Sequence, residues 1–81
     1  MSKFRATQNE YHNGFHMTFE NGYTISVQFS KTNYSDGGET TAEVAAWDSD
    51  RKWVKLNEHD DVQGWCSPNE VLEIMNQIAN K

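Results

Sequence analysis

The chain has 81 residues, with seven basic against twelve acidic side chains and a formal net charge of −5. That length allows one domain with a thin core, and the acidity argues against a general nucleic-acid binder, which needs a basic surface to displace counterions. One cysteine, Cys66, excludes an intramolecular disulfide, and one thiol with three scattered histidines lacks the paired spacing of a zinc site, so no cofactor or metal is expected.

Met1-Ser2-Lys3-Phe4-Arg5 lacks the apolar run of a signal peptide. No stretch is long and apolar enough to cross a membrane, and a cytoplasmic protein is expected. Residues 1–10 are polar and unpatterned, which predicts a flexible lead-in or an edge strand ahead of a single domain over 11–81. From Phe15 to Phe29 the apolar side chains fall on odd positions (Phe15, Met17, Phe19, Tyr23, Ile25, Val27, Phe29), the period of a half-buried strand. Asn21-Gly22 interrupts that run and predicts a hairpin over 14–30. Parity selects its turn. A two-residue loop would set the two apolar rows on opposite faces. A bulged turn with Gly22 left-handed pairs Met17 with Ile25 and Phe15 with Val27, so that both rows share one face.

Residues 31–40 form a polar loop tipped by Asp36-Gly37-Gly38. A second hairpin is predicted over 41–56. One strand is Thr41–Trp47, Asp48–Lys52 turns the chain, and Trp53-Val54-Lys55-Leu56 returns with Trp53 opposite Trp47. That register turns Ala46, Val54, Val44 and Leu56 inward and both tryptophans outward. Residues 57–65 read as a polar, acidic connection. Ser67-Pro68-Asn69-Glu70 then carries an N-cap, a proline at N1 and an acid at N3. The apolar arc Val71, Leu72, Ile74, Met75, Ile78 and Ala79 predicts a helix over 68–80, with small Ala42 and Ala46 making room for it on the sheet. The expected fold is therefore α+β: a four-stranded antiparallel sheet with one C-terminal helix on one face.

No group of residues in the sequence makes a catalytic constellation, and the protein is expected not to be an enzyme. Glu58-His59-Asp60-Asp61 is dense in ligand types but lacks calcium-loop spacing. His12 and His16 are four apart, which on a strand leaves them well separated. Cys66 precedes the helix N-cap without a histidine tied to it, and a buried structural thiol is the commoner role. The binding candidates are two. One is the loop with Asn33, Tyr34 and Asp36, whose backbone amides and hydroxyls suit an anion but which lacks the lysine and helix of a P-loop. The other is the pair Trp47 and Trp53 beside Arg51 and Lys52, since exposed tryptophans next to cations are typical anchors of binding surfaces.

The segments FHMTFENGYTISVQF, NYSDGG, TAEVAAWD and GWCSPNEVLEIMNQIA together resemble a group of small accessory proteins of tailed bacteriophages, over residues 11–80. Ser35 and Ser30 stand where that group frequently has cysteine and glycine, so no thiol or tight-glycine role carries over, and no catalytic residue does either. The resemblance implies a viral protein acting in the cytoplasm of the infected bacterial host. The expected function is stoichiometric binding and inhibition of a bacterial host protein, with an anti-phage defence complex as the target class. Two alternatives stand beside it. One is a homo-oligomeric sponge for a nucleotide-like signalling ligand, and the other is a small phage structural or assembly protein.

Overall fold

A computed structural model of the chain describes residues 2–8, 12–30, 35, 40–58 and 60–81. These residues form β1 (Lys3–Ala6), β2 (Gly14–Thr18), β3 (Thr24–Gln28), β4 (Ala42–Trp47), β5 (Val62–Cys66) and α1 (Pro68–Ala79). The strands make one open antiparallel sheet in chain order, and the helix lies on one face of it. The fold class is α+β as the sequence pattern predicts, but the sheet has five strands rather than four.

The first hairpin adopts the register that parity selects. Met17 pairs with Ile25 and Phe15 with Val27. Phe19 N–H donates to Tyr23 O at 2.8 Å and Gly22 N–H to Phe19 O at 3.0 Å, with Gly22 at φ 88°. That left-handed angle is one a residue without a β-carbon takes at no steric cost. Asn21 works in both directions: its Oδ1 accepts from Tyr23 N–H at 3.1 Å, and its Nδ2 donates to Ile78 O at 2.8 Å. The hairpin tip thereby strengthens the hold on a helix C-terminal carbonyl that, among the described residues, otherwise accepts only a long bond from Lys81 N–H, at 3.4 Å. At the other end of β2, a β-carbon on Gly14 would stand 2.2 Å from Val27 O, so the close approach of β2 and β3 there requires glycine.

The second hairpin is where the expectation fails in part. β4 forms as predicted, and Trp53 meets Trp47 in an isolated bridge with Val54 N–H donating to Ala46 O at 2.8 Å. Residues 53–56 go no further as a strand. The partner of β4 is instead β5, Val62–Cys66, from the segment read as a connection. The intervening residues turn tightly. Asn57 Oδ1 accepts from Asp60 N–H at 2.7 Å, and Asp60 Oδ1 accepts from Asp61 N–H at 2.8 Å. Side chains of Asn and Asp compete for backbone donors in this way and favour turns over ladders. β5 escapes the period-two pattern because a bulge interrupts it: Ala42 pairs with Cys66 while Val44 pairs with Gln63, and Trp65 sits at φ 55°. Val54 and Leu56 still pack against the core, so their predicted facing is right although their strand is not.

β1 pairs with β2 as an edge strand, with Phe4 opposite Met17 and Arg5 opposite His16. The core comprises Ile25, Val27, Ala42, Val44, Ala46, Cys66, Ile74 and Ile78. The helix starts where its signals lie: Ser67 Oγ accepts from Glu70 N–H at 3.2 Å, and Glu70 Oε1 accepts from Ser67 N–H at 3.1 Å. Such a capping box contributes about 1 kcal/mol. α1 packs on β3, β4 and β5, and Ile74 and Ile78 are its buried residues. Leu72, predicted in the apolar arc, is 57 % exposed, and Ala79 is exposed too. Because the helix does not reach the β1 end of the sheet, Phe4 on the same side is 78 % exposed.

Candidate functional site

The face of the sheet opposite the helix is built by the same registers. One row across it runs Arg5, His16, Ser26, Ala45, Val62, and the next runs Lys3, Thr18, Thr24, Trp47, with Trp53 bridged beyond. Each row goes from cationic at β1, through His16 and Ser26 in one and two threonines in the other, to apolar or aromatic at β4 and beyond. Large side chains at the rims and small ones between them leave a concavity of about 800 Å³ lined by both rows and by Gly22, Glu43, Asp48, Ser49 and Arg51. Ser26 and Ala45 form its buried floor.

The aromatic wall is continuous. His16 and Trp47 meet with ring centroids 5.1 Å apart and planes at 83°, edge to face. Trp47 and Trp53 follow at 5.3 Å with planes tilted by 56°. Such pairs hold rings in place beyond what area burial does. Trp53 nonetheless remains 55 % exposed, with apolar surface still available to a partner.

The turn at 48–52 repeats the geometry of the turn at 19–23. Asp48 N–H donates to Lys52 O at 2.9 Å and Arg51 N–H to Asp48 O at 3.0 Å, with Arg51 at φ 62° where the first turn has Gly22. Asp48 Oδ1 fixes the loop by accepting from Asp50 N–H at 2.8 Å and Lys52 N–H at 3.0 Å. A side chain in that conformation is strained by about 1–2 kcal/mol relative to glycine. The hydrogen bonds of the turn hold Arg51 at the rim of the concavity against that strain, and uncommon backbone angles of this kind cluster at functional sites.

Charge is distributed unevenly. Lys3, Arg5 and Arg51 supply three of the seven basic residues to this one face, whereas Glu43 and Asp48 supply two of the twelve acidic ones. Among the described residues no carboxylate forms an ion pair with Lys3, Arg5 or Arg51. His16 is held below its ordinary value of 6.5, first by burial and then by the neighbouring Arg5 guanidinium. Both effects favour the neutral ring.

Of the residues that the sequence singles out, Trp47, Trp53 and Arg51 come together here, and Lys52 is exposed on the same turn outside the lining. Asn33, Tyr34 and Asp36 lie outside the described residues, as does His59. Cys66 is buried, and its thiol is pushed above its ordinary value by burial and then by Glu70. A reactive thiolate is thus disfavoured despite the helix behind it. Among the described residues no three His, Cys, Asp or Glu side chains gather where a metal would sit. His12 and His16 both border a smaller hollow of about 420 Å³, but Arg5 lines it with them and would repel a cation. Sequence reasoning missed Lys3, Arg5 and Ala45. The signal for the first two was the alternation Lys3, Phe4, Arg5, Ala6, too short to separate from a lead-in without its partner strand. No helix among the described residues is long and apolar enough to cross a membrane.

Compared with protein-family models, curated proteins and solved structures, the chain matches none.

Proposed function

We propose that this is a non-enzymatic phage accessory protein that binds a bacterial host protein stoichiometrically through the outer face of its sheet, with a component of an anti-phage defence system as the target class. The observation that carries the reading is the concave face itself: two touching tryptophans, one of them largely exposed, beside cations on an otherwise acidic molecule. Tryptophan and arginine are the residues that most often dominate binding energy at protein interfaces. The viral origin and the host target rest on the resemblance of the four sequence segments to phage proteins. Recognition is favoured over catalysis because His16, the titratable ring in the concavity, has Arg5 rather than an orienting carboxylate opposite it.

The test is affinity capture from bacterial lysate with the wild type and Trp53→Ala in parallel, read by mass spectrometry and by the stoichiometry of the recovered complex. A host protein held one-to-one by the wild type and lost with Trp53→Ala is the expected result. Failure of every host complex to bind at micromolar protein, or equal capture by both forms, overturns the reading. A thermal-shift screen with cyclic nucleotides separates the sponge alternative, because a sponge gains stability with its ligand.

A further inference from the structure

The outer face has a polarity along its rows that restricts what fits it. Lys3 and Arg5 lie on β1, Trp47 lies on β4, and Trp53 and Arg51 lie at the far rim. With strands about 4.8 Å apart, β1 and β4 are separated by about 14 Å and the whole row spans about 19 Å. The cations therefore do not converge on one point. A single phosphate would meet one end and leave the other unmatched, and a mononucleotide is shorter than the row. An extended peptide covers it with about six residues at roughly 3.3 Å each.

We infer that the face takes an acidic, extended segment of the partner protein, with carboxylates reaching Lys3 and Arg5 at one end and Arg51 at the other, and an apolar side chain seated against Trp47 and Trp53. This rests on the outer-face reading above and names the chemistry that the partner presents to it. Charge complementarity carries it: three cations without carboxylate partners among the described residues face one concavity of a chain whose net charge is −5. An acidic segment is repelled by the rest of such a surface and attracted here, which fixes where it docks as well as how fast it arrives. The small floor residues Ser26 and Ala45 let a backbone approach closely, and the Thr18 and Thr24 hydroxyls, 2.9 Å apart, offer it hydrogen bonds.

The probe is a six-residue peptide with acidic residues at both ends and leucine between them, titrated against its glutamine counterpart and against adenosine monophosphate, with the indole N–H signals followed by NMR. The acidic peptide should shift the signals of Trp47 and Trp53 and leave Trp65, which is outside the concavity. The glutamine peptide should bind about tenfold more weakly, and the double variant Lys3→Glu/Arg5→Glu should weaken the acidic peptide about tenfold. Both side chains are exposed, so the double variant should fold with an unchanged melting temperature. Equal binding of the two peptides, no binding of either, or shifts with the nucleotide alone would overturn the proposal. In the lysate experiment, capture lost with Trp53→Ala but kept with Lys3→Glu/Arg5→Glu sinks the acidic segment and leaves the outer-face reading standing. Capture kept with both sinks the reading itself.

Discussion

The two faces of this sheet come from one alternation and end in opposite conditions. The inner face carries Ile25, Val27, Val44 and Ala46, all buried, and is closed by the helix through Ile74 and Ile78. The outer face carries Arg5, His16, Thr24 and Trp47 on the same strands and has no second layer among the described residues. What differs is how each satisfies its side chains. Inside, apolar atoms leave water and the driving force is area. Outside, hydroxyls pair with each other, rings pair with rings, and three cations have no carboxylate partner among the described residues. A small domain can use one face for stability and the other for recognition, because period-two alternation lets each be specified separately.

The two faces should respond differently to a graded set of substitutions. Largest is Ile78→Ala, which leaves a cavity where the helix meets the sheet. A loss of about 2–5 kcal/mol is expected in urea unfolding, against less than about 0.5 kcal/mol for an outer-face change such as Lys3→Ala. Comparable losses at both would mean that the outer face is structural too. Next is Gly14→Ala. A β-carbon cannot stand 2.2 Å from Val27 O, so β2 must shift, at an expected cost of about 1–3 kcal/mol seen as a lowered urea midpoint.

Third is Arg51→Gly, where the sign reverses. Glycine relieves the left-handed strain, and the protein should gain about 1 kcal/mol while losing affinity for the acidic peptide. A variant that is more stable and binds undiminished would show that Arg51 has no part in recognition.

Smallest is the pH response of His16, which faces Arg5 on β1, Ser26 on β3 and Trp47 across the sheet, in a concavity that also holds Lys3 and Glu43. Its folded value lies below 6.5, so the unfolded chain binds more protons between the two values. Stability should fall as pH drops from 6.5 through the lowered folded value and level off beneath it. Binding of an acidic segment has the opposite sign, since nearby carboxylates favour the protonated ring and affinity should rise over the same window. Urea midpoints and peptide titrations between neutral pH and about pH 5 check both, with His16→Gln expected to flatten each profile.

Much of the inner face was legible in the residues because its causes are local. Asn21-Gly22 and the parity of the flanking side chains select the bulged turn, and Ser67, Pro68 and Glu70 mark the helix start within one turn of chain. Less of the outer face was. Trp47 opposite Trp53 follows from turn length, and their outward direction from alternation. Arg5 beside His16 follows from neither, because β1 is four residues long and becomes recognisable as a strand when β2 lies next to it. β5 was hidden for a related reason: Gly64 and the bulge at Trp65 break the alternation that identifies a strand.

Local preferences set the turn at 19–23, the capped helix and which side chains of β2, β3 and β4 share a face, since each depends on sterics and hydrogen bonding over a few residues. The tertiary structure decided the rest. It chose β5 over 53–56 as the partner of β4, because Asn57 and Asp60 close a turn that brings Val62–Cys66 alongside. It left Leu72 in solvent because the helix turns Ile74 and Ile78 to the sheet, which puts Leu72 on its flank. It also placed Lys3, Arg5, Arg51 and the two tryptophans around one concavity. Those residues are separated in the chain by up to fifty positions, a distance that strand pairing closes and that no local preference encodes.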